Sequence, residues 1–103
     1  MYVSVDIPSP LSECITFCEI ECVRGCCGID AVSTDPALIG AWCNEVGPVA
    51  VAEARLQLAE LIETVEDRSH RVRSTFLNHQ THDDTGRREL LDFLAAFERG
   101  LTQ

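Results

Sequence analysis

Cys14, Cys18, Cys22 and Cys26 follow one another at intervals of four, and Cys27 and Cys43 complete six thiols in a chain of 103 residues. On an α-helix each step of four drifts by about 40°, so the four spaced thiols fall within an arc of about 120°. Thiols one turn apart can share an ion, and soft thiolates select Zn or Cu(I). Cys22, Cys26 and Cys27 are therefore the candidate metal ligands, with His79 as an outside fourth. The adjacent Cys26-Cys27 pair offers thiol–disulfide exchange as another chemistry. A helix C-terminus and nearby carboxylates work against it, because both disfavour a reactive thiolate.

The same stripe has a plainer reading. Leu11 and Ile15 share its arc, while Glu13 and Arg24 lie opposite. That makes it the apolar face of an amphipathic helix, on which free Cys packs as a small hydrophobe. The chain contains no Cys-x2-Cys, the spacing from which structural zinc sites are usually built. Core packing therefore stands ahead of metal binding, and metal binding ahead of redox chemistry.

His79 and His82 flank Gln80-Thr81 and precede Asp83-Asp84. A His-x2-His beside carboxylates could hold a divalent ion, but no third ligand stands at a recognisable spacing, and solvated loop histidines are the simpler reading. A Cys–His nucleophile pair is formally available. No glycine-rich phosphate loop, nucleophile elbow or zinc-protease motif accompanies it. The sole Trp, Trp42, sits among Leu38, Ile39 and Val46 and reads as core.

The elements that must position these groups read as mainly helical. Residues 2–7 alternate and suggest a short strand. Ser9-Pro10 offers an N-cap and a first helical position for a helix over about residues 10–24, with Gly25 and Gly28 near its end. Ser33-Thr34-Asp35-Pro36 starts a second helix, which Gly47 stops near Val46. Pro48 opens a third, rich in Ala, Leu, Glu and Gln through Asp67. Its Val51, Ala54, Leu58, Leu61, Ile62 and Val65 recur at helical spacing and should face the core. Residues 71–77 alternate and are open between a strand paired with residues 2–7 and a continuation of the third helix. Residues 78–86 read as a loop with Asp83, Asp84 and Thr85 as caps. A last helix covers about 86–99, with Leu90, Leu94, Phe97 and Leu101 on one face and Gly100 ending it. The expected fold is mainly α, one domain over residues 1–103. It is a bundle of about four helices, with a two-stranded β ribbon of residues 2–7 and 71–77 at one edge.

Charge narrows the classes of partner. The formal net charge is -9, from 17 acidic and 8 basic residues, and every basic residue is Arg. Nucleic acid and anionic membrane surfaces are disfavoured, because both are held by cations. A protein partner with a basic surface suits the charge. Residues 1–52 carry seven acids against Arg24 alone, so the acidity concentrates in the thiol-rich half. The first ten residues have no basic start and no apolar run, so they do not read as a signal peptide, and a cytoplasmic location with reduced thiols is expected.

The segment Cys22-Val23-Arg24-Gly25-Cys26-Cys27-Gly28-Ile29-Asp30-Ala31, together with Leu77-Asn78-His79, resembles a family of small bacterial proteins of unknown function. The resemblance spans most of the chain and implies no activity. It implies that residues 26–30 and 78–79 gather in one place, with Asp30 either a capping or turn residue, the first reading, or part of a polar cluster with Asn78 and His79, to which Cys27 would add a nucleophile if the protein were an enzyme. Separately, residues 14–26 are similar to the thiol-lined helices of copper-storage bundles. Those proteins line a core from several helices, whereas the third and fourth helices here contain no Cys. The expected function is a non-enzymatic acidic protein that binds a protein partner, with a thiolate Zn or Cu site or a thiol-redox role as the alternative.

Overall fold

The structure is a computed structural model, and it describes residues 2–20, 28–77 and 79–102. Its elements in chain order are β1 (Tyr2–Ser4), α1 (Leu11–Phe17), a 3-10 turn (Ile29–Ala31), α2 (Pro36–Val46), α3 (Pro48–Glu66), β2 (Arg71–Ser74), β3 (His79–Gln80) and α4 (Asp84–Leu101). The mainly helical expectation holds.

Local chemistry explains α2 and α3. The Asp35 carboxylate accepts from Ala37 N at 3.0 Å, Pro36 occupies the first turn, and Gly47 closes the helix. Gly47 has φ +89°, a conformation that costs a side-chain-bearing residue energy and costs glycine little. Pro48 then starts α3 at once. Along α3, Ala54, Leu58, Leu61 and Val65 are buried, while Val51 and Ile62 are half-buried.

The first helix departs from its expected length. α1 ends at Phe17 and Cys18 is its C-cap. Glu19 then bridges antiparallel to Val32, Ile20 N donates to Ala31 O, and Ser33 N donates to Cys18 O. Ile15, Thr16, Phe17 and Ile20 are β-branched or aromatic, so extended pairing competes well with another helical turn. The helix expected over residues 10–24 thus ends with Cys18 as its cap, and residues 21–24 of that expectation, with Cys22 and Cys26, lie outside the described residues. The start differs too. Pro10 is the N-cap residue, and no side chain of α1 caps it. Gln57 of α3 takes that role, accepting from Leu11 N at 3.1 Å and donating to Ser9 O at 2.8 Å.

Residues 71–74 form a strand, and β1 pairs with it in parallel, Tyr2 opposite Arg71. A third strand, β3, lies antiparallel to β2 within the segment expected to be a loop. Thr81 continues that edge with its side chain: its hydroxyl accepts from Val72 N at 2.8 Å and donates to Val72 O at 3.3 Å. In α4, Asp83 is the N-cap, accepting from Gly86 N at 2.9 Å. Gly100 lies inside this helix and does not end it. A Cβ at that position would stand 2.6 Å from Ile39 Cδ1, so glycine is what lets α4 approach α2 closely. The core gathers Leu11, Ile15, Ile39, Leu58, Leu90, Leu94 and Phe97 between the four helices.

Candidate functional site

Three of the six thiols lie among the described residues. Cys14 and Cys18 are fully buried, and Cys43 of α2 is half-buried, all three free. Cys14 donates its S–H to Cys18. That hydrogen bond, and then burial, push the Cys14 thiol up, while accepting it pulls Cys18 down against the cost of burial. Cys43 is pushed up by burial, and further by its neighbour Cys18. Cys14 and Cys18 belong to the core, and Cys43 packs against it. Cys22, Cys26 and Cys27 lie outside the described residues. Among the described residues, no three His, Cys, Asp or Glu side chains gather closely enough to hold a metal ion.

The polar cluster is only partly placed. Asp30 belongs to the 3-10 turn, and Asn78 lies outside the described residues. His79 is half-buried on β3, and its Nε2–H donates to Gly86 O at 3.1 Å. His82 is separate from it: its Nδ1 meets the Tyr2 hydroxyl at 2.7 Å, linking the loop before α4 to β1. The third histidine, His70, and Arg87 belong to the junction of β2 and α4, where an Arg87 NH2 group donates to His70 O at 2.6 Å.

A site not anticipated from the sequence opens between α1 and α2. It is an open groove of about 480 Å³ whose wall residues include Glu13, Thr16 and Phe17 of α1 and Trp42, Glu45 and Val46 of α2. The volume lies within the range of roughly 300–1,000 Å³ common for ligand clefts. Trp42 is 3% exposed and closes the floor; Phe17 and Val46, at 40% and 38%, stand open to solvent. One carboxylate comes from each helix, and no Arg lines the groove among the described residues. The groove follows from helix geometry. Glu13, Thr16 and Phe17 lie one turn apart on α1, as do Trp42, Glu45 and Val46 on α2, so each wall presents a single face. Glu13 looked like a first-turn carboxylate and Trp42 like core, and both readings are locally correct. The missed signal is that Phe17 falls outside the arc of Leu11, Cys14, Ile15 and Cys18, an apolar side chain with no place in the core.

A second cleft of about 480 Å³ lies between the 3-10 turn and α4, where Ile29, Val32 and Phe93 meet Glu89 and Asp92. The cations collect elsewhere. Arg68, Arg71 and Arg87 share a smaller cleft of about 230 Å³ with Asp83 and Asp84 at the start of α4. No helix among the described residues is long and apolar enough to cross a membrane.

Residues 2–103 match the model of a family of unknown function, DUF6331, and the chain belongs to that family. No curated protein and no solved structure matches the chain.

Proposed function

We propose that this protein is a non-enzymatic binding module for a protein partner with a basic surface, and that the groove between α1 and α2 is where it binds. The observation that carries the reading is an open groove with an aromatic floor, bounded by Glu13 and Glu45. Exposed apolar side chains inside a polar rim mark interaction surfaces more often than isolated ones do. The net charge of -9 favours a cationic partner and speeds its approach. A photocrosslinking residue placed at Thr16, in the groove, tests this in the native host. A specific adduct that is lost on Glu45→Arg, and absent when the crosslinker sits at exposed Glu63, supports the reading. Equal labelling from both positions rejects it.

The second reading is a thiolate metal site using Cys22, Cys26, Cys27 and His79. It is favoured by the His79 geometry: Nε2–H is fixed on a backbone carbonyl, which orients the ring and leaves Nδ1 as an acceptor, the usual arrangement of a metal-ligating imidazole. Native mass spectrometry of anaerobically purified protein tests it. A Zn or Cu adduct lost on Cys22→Ser/Cys26→Ser supports the site, and a metal-free native mass after purification with both ions present rejects it.

A further inference from the structure

We infer that the occupant of the α1–α2 groove is an amphipathic helix whose apolar stripe is bordered by Lys or Arg along both of its edges. This rests on the reading of the groove as a binding site for a basic partner. The argument begins with where the two carboxylates stand. Glu13 belongs to α1 and Glu45 to α2, so each wall contributes one acid while the apolar Phe17, Trp42 and Val46 line the space they bound. An occupant with cations on a single side would satisfy one wall and leave the other carboxylate beside apolar surface. Cations on both flanks of an apolar centre satisfy both.

The dimensions point to a helix. Glu13 to Phe17 and Trp42 to Val46 each span one helical turn, a rise of about 6 Å. Two side chains one turn apart on a helix, at i and i+4, stand about 6 Å apart along its axis, so a helix laid in the groove presents one matching pair to each wall. Both carboxylates are exposed, so their pairing with an occupant's cations is weakened by salt and sets orientation more than raw affinity.

Trp42 is the only Trp in the chain, so its emission reports the groove directly. The probe is a synthetic helix of about 15–20 residues, long enough to form one. It carries Leu along one face, Arg on both edges, and no Trp or Tyr. One control replaces every Arg by Glu, and another keeps the Arg peptide's composition but scrambles its order. The expected result is a saturable Trp42 shift with the Arg helix that weakens as salt rises, with neither control binding. The charge reversal Glu13→Arg/Glu45→Arg then weakens the Arg helix by about tenfold or more and admits the Glu helix. Glu13→Gln/Glu45→Gln supplies the loss without reversal should the reversed protein fold poorly. If the scrambled Arg peptide binds as well as the ordered one, the amphipathic helix is wrong while the basic-partner reading stands. If Arg and Glu helices bind equally, or neither moves Trp42, both fail.

Discussion

The face that α4 turns inward is apolar, the faces that α1 and α2 turn toward their groove mix apolar and acidic side chains, and the fold treats the two oppositely. Over 18 residues α4 buries Leu90, Phe93, Leu94, Phe97 and Leu101, with Phe93 and Phe97 rings 5.1 Å apart. α1 has only seven residues. It buries Leu11, Cys14 and Ile15 and leaves Phe17 outside. The long helix carries its own cap in Asp83, whereas the short one borrows Gln57 from α3. A long amphipathic helix can match its stripe to the core and complete it. A helix of two turns cannot, and what it fails to bury becomes surface. The difference separates side chains that hold the fold from side chains left over for recognition.

The largest test of that contrast sets Phe97→Ala against Phe17→Ala. The first should lower unfolding free energy by about 3–5 kcal/mol in equilibrium denaturation, because it empties a packed position. The second should cost less than about 1 kcal/mol while abolishing the Trp42 response to the cationic helix. Equal costs would break the comparison. Gly100→Ala comes next. It places a methyl against Ile39 and should destabilise by about 1–3 kcal/mol, partly relieved by Ile39→Val, which removes the nearest atom.

Caps give a smaller effect. Asp83→Ala should cost about 1 kcal/mol globally and leave the groove intact. Gln57→Ala should cost a similar amount but also blunt the Trp42 response, since it frees the start of the groove's α1 wall. Identical binding by the two variants would show that the borrowed cap does not position the groove. The smallest effect is chemical. In the folded protein, iodoacetamide should leave Cys14 and Cys18 unmodified until unfolding, as peptide-resolved mass spectrometry would show. Cys43 should be alkylated slowly, its rate rising only at a higher pH than in the unfolded chain, because burial pushes its thiol up. A Cys43 that reacts as fast folded as unfolded would show that α2 does not shield it.

Much of the scaffold was legible because its signals are short-range. Asp35-Pro36 and Gly47-Pro48 mark their helix boundaries through bonds made within a few residues. The alternation of residues 71–74 was visible, but whether it served a strand depended on β1, some seventy residues away. The end of α1 was not legible, since Glu19 and Ile20 leave the helix to pair with Val32 and Ala31. Gly100 read as a stop because its one local meaning is termination, and only Ile39 against it gives the other. Of the candidate site residues, His79 has a described contact, while Cys22, Cys26, Cys27 and Asn78 lie outside the described residues.

By itself, the sequence determined a mainly helical, strongly acidic chain with its helix faces, most of its caps and a half nearly free of cations. These depend on residue type and periodicity along one segment. Tertiary structure decided that Cys14 and Cys18 enter the core, which side chain caps α1 and where Phe17, Trp42 and two carboxylates meet. Those depend on how much surface each helix can bury against the others, and no single segment carries that information.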